Sequence, residues 1–188
     1  MKIKLLKYIL ILLLSITTLQ SGGWQDIHWA VYNEDKKRIE SLVSKNKTLL
    51  DSRTNGGLSP LHIAVKVRNL DIMKLLVKSG ADIDVQDDKG RTPLYFAIAE
   101  KRVKLVKYLI LNGADIELEN DNGVRPLHQA AYSGNLDIVR FLLEIGADPF
   151  PKTNSGFTPF DIAVAKGNFA IADYLMLYRK KETKSNIE

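Results

Sequence analysis

Ser59-Pro60-Leu61-His62-Ile63-Ala64 is followed 33 residues later by Thr92-Pro93-Leu94-Tyr95-Phe96-Ala97. The hexapeptide returns as Arg125-Pro126-Leu127-His128-Gln129-Ala130 and again as Thr158-Pro159-Phe160-Asp161-Ile162-Ala163. Gly57, Gly90, Gly123 and Gly156 keep the same step, and Gly80, Gly113 and Gly146 each open a Gly-Ala-Asp triplet. A fixed period of this length marks a repeat solenoid, in which each unit buries its apolar face only against its neighbours.

Each repeated residue has a physical task. Ser or Thr before Pro caps a helix by accepting an orphan backbone N–H, and Pro suits the first helical position, where no donor is needed. Ala64, Ala97, Ala130 and Ala163 are small enough for paired helices to approach closely. Gly80, Gly113 and Gly146 follow helical runs such as 72–78, where a residue just past the helix end needs positive φ. Asp87-Asp88-Lys89-Gly90, Asn120-Asp121-Asn122-Gly123 and Thr153-Asn154-Ser155-Gly156 carry turn chemistry.

The period of 33 with its Thr-Pro-Leu-His-x-Ala signature resembles the ankyrin repeat, from about Gln25 to Tyr178. The resemblance implies an all-α solenoid of helix–turn–helix units with projecting β-hairpin loops. Units are expected at about 25–56, 57–89, 90–122, 123–155 and 156–179, within a domain spanning 24–179. The first unit is degenerate: Ile27-His28-Trp29-Ala30 aligns with Leu61-His62-Ile63-Ala64, and Asn46 takes the glycine place, where a left-handed residue is expected. Arg38 and Ser41 replace Ile72 and Leu75, as a terminal unit without an outer neighbour requires. A polar, frayed tail is expected over 180–188.

Lys2, Lys4 and Lys7 precede an apolar run from Tyr8 to Leu14, with Ser21-Gly22-Gly23 beyond it. A basic head, a short apolar stretch and small residues describe a secretory signal over 1–23, cleaved after Ser21 or Gly23. The run is shorter than the about 20 residues of a spanning helix, so export is expected, to the periplasm or the exterior. A retained membrane anchor is the alternative. The chain has no cysteine, which excludes a lipoprotein anchor, disulfides, thiolate metal sites and a thiol nucleophile.

The formal charge of +5 includes those three lysines; without them 24 basic residues face 22 acidic ones, which is no nucleic-acid footprint. Lys101-Arg102-Val103-Lys104 is locally basic, but Glu100 adjoins it, and an ordinary helix exterior explains it better than a binding patch. Asp82, Asp84, Asp87 and Asp88 lack the spacing of an EF-hand and suit turns. His28, His62 and His128 follow the repeat register, and equivalent residues of stacked units lie roughly 10 Å apart, too far for one zinc. By resemblance this histidine braces turns.

No nucleophile elbow, zinc-helix motif, P-loop or dinucleotide loop is present, so neither catalysis nor a cofactor is expected. Recognition remains. The resemblance places partner contacts on residues that vary between repeats. At inner-helix ends these are Tyr32, Lys66, Glu100 and Tyr132; at the turn tips they are Asp88, Lys89, Arg91, Asp121, Asn122 and Phe157, with Phe150 between Pro149 and Pro151. Tyr32, Arg91, Tyr132, Phe150 and Phe157 are the expected anchors, because aromatics and Arg dominate hot spots; packing against the last unit is the competing role for Phe150 and Phe157. The expected function is an exported, monomeric module binding a protein through its concave face, as a periplasmic adaptor or an inhibitor or immunity protein. Alternatives are a secreted factor acting on another cell, a membrane-tethered scaffold, or an accessory protein or enzyme in stress defence.

Overall fold

The computed structural model describes residues 23–185, with side chains through Tyr178. The expected leader therefore lies outside the described residues, except for Gly23. Ten α-helices and one 3-10 helix are formed, with no strand among the described residues. The helices pair as α1 (Asp26–Tyr32) with α2 (Lys36–Lys45), α3 (Pro60–Lys66) with α4 (Leu70–Lys78), and α5 (Pro93–Ala99) with α6 (Val103–Leu111). Then come α7 (Pro126–Ser133) with α8 (Leu136–Glu144), and α9 (Pro159–Ala165) with α10 (Phe169–Ser185). Among the described residues no helix is long and apolar enough to cross a membrane.

Inner helices start as the hexapeptide dictates. Ser59, Thr92 and Thr158 accept the N–H three residues on, at 3.4, 3.2 and 3.2 Å. Arg125 replaces this residue in α7, and its guanidinium instead reaches Glu117 at 2.8 Å, Glu119 at 3.5 Å and Asp148 at 3.6 Å. The four hexapeptide alanines have no exposed surface, and neither do Met73, Leu76, Leu109 and Leu142 of the outer helices. One continuous core runs through all five units. Inner helices pack along their neighbours, whereas outer helices touch theirs sparsely. A stack tighter along its inner edge curves, and it leaves the inner helices and tips on its concave side.

The tips are tight turns stitched to one another, not strands. Each is closed by two backbone bonds, as Asp87 N–H to the Arg91 carbonyl (3.0 Å) and Gly90 N–H to the Asp87 carbonyl (3.0 Å). Each also donates to the tip before it: Asp88 to Gly56, Asp121 to Lys89 and Asn154 to Asn122, at 3.4, 3.2 and 3.0 Å. This contact explains the invariant glycine. Gly90 has φ +69°, and a Cβ there would lie 2.8 Å from the Asp121 nitrogen.

The histidines are bonded at both ring nitrogens. The Nδ1 atoms of His28, His62 and His128 accept the N–H of Gln25, Ser59 and Arg125, at 2.9, 3.2 and 3.1 Å. That fixes the tautomer, so Nε2–H donates outward. The acceptors are the carbonyls of Ser52 (3.1 Å) and Arg91 (2.9 Å), and for His128 both Pro151 and Phe157 (3.0 Å each). The histidines thus brace one unit against the next turn.

Two further expectations give way. Asn46 is extended (φ −151°), not left-handed, because the first unit replaces Gly-Ala-Asp with a 3-10 helix, Lys47–Asp51, that Asn46 caps through Thr48 N–H at 3.0 Å. The left-handed non-glycines are Glu34, Arg68 and Lys101 (φ 58°, 63° and 57°), at the inner-to-outer turn where later units have Gly134 and Gly167. The expected frayed tail is helical as far as Ser185, since α10 continues past the last packed turn.

Burial pushes all three imidazoles down, His62 to about 4, with the Arg91 carbonyl and the Asp87 charge opposing it. The native state keeps His62 neutral while the unfolded chain takes up a proton near the ordinary imidazole value of 6.5. Stability therefore falls as pH drops from about 6.5 to about 4, by about 3 kcal/mol for His62 alone. Thermal melts across this range should show the slope, and His62→Gln should flatten it while His28 and His128 keep the remainder. An equal slope in both proteins would contradict the assignment.

Candidate functional site

The inner helices end on the concave side, and their last turns carry the variable residues. Tyr32 and Tyr132 are 55% and 52% exposed there, and Phe157 at the last tip is 56% exposed. Lys66, at the end of α3, is exposed, and so are the tip residues Asp88, Lys89, Asp121 and Asn122. The backbones of these tip residues form the rungs between turns, so their side chains project from a fixed track.

Four cations on this surface are committed to neighbours. The Lys66 ammonium lies 5.2 Å from the centroid of Phe96, and the Arg91 guanidinium lies 4.7 Å from the same ring. The Lys166 ammonium stands 4.2 Å over Tyr132. Arg68 Nε bonds Glu100 at 2.9 Å across a unit boundary. The structure thus joins Lys66 and Arg91 on one ring, and ties Glu100 to an arginine.

Arg91 is also anchored from below. Its Nε and a terminal nitrogen reach Asp87 Oδ2 at 2.9 and 2.6 Å, and the Asp87 side chain is fully buried. Burial pushes the Asp87 carboxyl up. Hydrogen bonds from the Arg91 side chain and from the backbone N–H groups of Arg91 and Lys89 outweigh it and hold the carboxyl below its usual range. Arg91 therefore has a structural duty that the sequence did not show, although the Asp87 partner stands only four residues upstream.

Phe150 stands apart from the other candidates. It is half-buried and lines a groove of about 450 Å³ at the last unit, with Phe160, Leu175 and Met176. At the opposite end the structure adds an aromatic cluster that sequence reasoning missed. Trp24 lies 4.7 Å from Trp29 and 5.7 Å from Tyr32, between ring centroids. Trp24 stands where later units have Leu58 and Arg91, and Trp29 stands where they have Ile63 and Phe96. The signal was available in those variable columns.

The acidic turn residues act on backbone. Asp82 accepts the Asp84 N–H at 3.0 Å, and Asp84 accepts that of Asp115 at 3.0 Å. Burial, with Asp115 and Asp82 nearby, raises the Asp84 carboxyl, although the Asp115 N–H opposes this. Among the described residues no group of three or more acidic, His or Cys side chains is arranged to hold a metal.

A family model described as ankyrin repeats (3 copies) matches residues 27–120 and again 99–187. The chain belongs to the ankyrin-repeat family. Over 75 residues it is 37% identical to an ankyrin repeat protein of fowlpox virus, covering 38% of this chain and 18% of that one. It is 34% identical over 86 residues to a delta-latroinsectotoxin of Latrodectus tredecimguttatus, covering 43% and 7%. Over 71 residues it is 37% identical to a nuclear factor NF-kappa-B subunit of Xenopus laevis, covering 36% and 7%. The chain spans less than a fifth of each of these relatives. Ankyrin repeats are interaction modules that bind protein partners.

Within this ankyrin stack, Arg91 and Tyr132 should separate in a stability assay. Arg91→Ala leaves a buried carboxylate short of two donors and should cost about 2–3 kcal/mol. Tyr132→Ala removes an exposed ring and should cost no more than about 1 kcal/mol. Urea unfolding of both variants measures the difference. Equal midpoints would show that the Arg91–Asp87 pair is dispensable.

Proposed function

We propose that this chain is an exported protein-binding module that grips its partner through inner-helix ends and turn tips, without chemistry of its own. The observation that carries the proposal is the contrast in burial along one face. The signature residues Leu61, Leu94, Leu127 and the four hexapeptide alanines are buried, while Tyr32, Tyr132 and Phe157 stay more than half exposed. Large aromatics on a rigid scaffold supply contact area at small entropic cost, and such residues dominate hot spots. Phe96 and Arg91 support the same face from beneath. A resident enzyme or toxin of the export compartment suits the adaptor or inhibitor form of this reading.

Tyr132→Ala combined with Phe157→Ala removes two anchors from adjacent units. Such truncations commonly cost about 2 kcal/mol or more each, so affinity for the partner captured from the native compartment should fall by more than about a hundredfold. Lys107→Ala, on outer helix α6, should leave binding nearly unchanged. Normal binding by the double variant, together with loss in Lys107→Ala, would move recognition to the convex face.

The leader is part of the proposal, and Gly23 bears on where it ends. A Cβ on Gly23 would lie 2.4 Å from Asn55 Oδ1 and 2.9 Å from its nitrogen, the relation Gly90 has with Asp121. Gly23 thus belongs to the ladder of tips, which supports cleavage after Ser21 over cleavage after Gly23. Intact mass of the exported protein should correspond to a chain starting at Gly22. A start at Trp24 would overturn that boundary, and an uncut chain in the membrane pellet would favour the anchored alternative.

A further inference from the structure

The turn between α5 and α6 departs from its neighbours in charge. Units two and four start their outer helices with Asn and, two residues on, Asp: Asn69 with Asp71, and Asn135 with Asp137. Asn69 accepts the N–H groups of Asp71 and Ile72, and Asn135 accepts that of Ile138. Unit three has Arg102 and Lys104 in these places, and α6 starts with no side-chain cap. Lys101 occupies the preceding turn in a left-handed conformation.

Arg68, from the equivalent turn of unit two, completes the group. Arg68, Lys101, Arg102 and Lys104 line one cleft of about 360 Å³, with Leu70 and Val103 among its apolar walls. One carboxylate pairs here: Glu100 holds Arg68 Nε at 2.9 Å and stands 4.0 Å from Arg102 Nε. The Arg102 Nε atom is buried without a hydrogen-bond partner. Lys101 and Lys104 make no ion pair among the described residues. Cations are thus gathered at a helix start whose dipole also favours an anion, at positions where units two and four place a cap and an acid.

We propose that this cleft binds a phosphate group. Guanidinium and ammonium groups from two units line one cleft, a dianion relieves their mutual repulsion, and the helix that starts there has no side-chain cap. The volume lies at the small end of the range for ligand pockets, which suits a phosphomonoester more than a bulky ligand. The group can be carried by a small soluble phosphoester or by a lipid headgroup. The site is at the inner-to-outer turns of units two and three, where Glu100 joins it to the inner-helix ends, and its test with phosphate needs no protein partner.

The test titrates the purified native protein with inorganic phosphate, following amide resonances, with chloride at matched ionic strength as the control. Saturable shifts confined to Arg68 and 101–105 are expected with phosphate and not with chloride. Arg102→Asn with Lys104→Asp recreates the start of α4 and α8, so it keeps the fold, and it should weaken binding by at least about tenfold. Lys104→Ala alone should give a smaller loss in the same direction. Vesicles of phosphatidylcholine with phosphatidic acid, against phosphatidylcholine alone, separate the sources. Sedimentation with the acidic vesicles that the double variant abolishes assigns the phosphate to a lipid; its absence beside soluble binding assigns it to a free phosphoester. No response in these amides to either probe, shifts equal to those with chloride, or binding unchanged in the double variant would overturn the proposal.

Discussion

Helix α5 lies against α3 on one side and α7 on the other because Ala64, Ala97 and Ala130 present only methyl groups between them. A larger side chain at any of these places would push two units apart, and in a stack every later unit moves with the displacement. The close inner edge sets the curvature, since the outer helices, with Met73, Val106 and Val139 beneath them, meet their neighbours less closely. Curvature in turn makes one continuous face of five helix ends. The face proposed for recognition is therefore a consequence of small residues buried beneath it.

Burial alone would leave the units free to slip, and directional bonds remove that freedom. Tips donate to the tip before them, and three of the five units add an imidazole that is both a helix cap and a donor to a later turn, across a unit boundary for His62 and His128. Such a ring serves only where a following turn supplies the carbonyl. The last unit has none, and there Asp161 keeps the local half of the arrangement, accepting from the Thr158 N–H and hydroxyl at 2.9 and 2.6 Å. A carboxylate suits that exposed end, where it remains solvated, while the inner units need a neutral ring.

What the sequence made legible is what each unit must do alone. Proline at the first helical position, alanine at the contact and glycine after the outer helix answer local backbone demands, so they recur and can be read. Asn46 was misread because the first unit closes by a different turn, and a missing glycine does not say which turn replaces it. Arg91 looked like a free hot-spot residue because its type is visible and its burial over Asp87 and Phe96 is not. Phe96 and Trp29 share a variable column and pack against their neighbours, Phe96 under Lys66 and Arg91 and Trp29 beside Tyr32. Those roles depend on neighbours brought together by folding, which residue types and spacing do not specify.

The same neighbours divide the concave face into fixed and adaptable parts. Phe96 is 8% exposed beneath Lys66 and Arg91, and Arg91 is pinned by a buried carboxylate. Uncovering that ring means breaking a charge-assisted pair, so the surface presents the guanidinium edge and not the aromatic face. The Lys166 ammonium lies over the half-exposed ring of Tyr132 and makes no ion pair among the described residues. A cation–π contact at an exposed site is worth only about 0.5–1 kcal/mol, which a partner recovers by burying the ring. Tyr132 is thus available at small cost on a unit held from both sides, whereas Tyr32 sits on the terminal unit, whose stability comes from one neighbour. Energy spent on ordering that end is lost to affinity, so the binding mode proposed above favours Tyr132 over Tyr32 as its anchor.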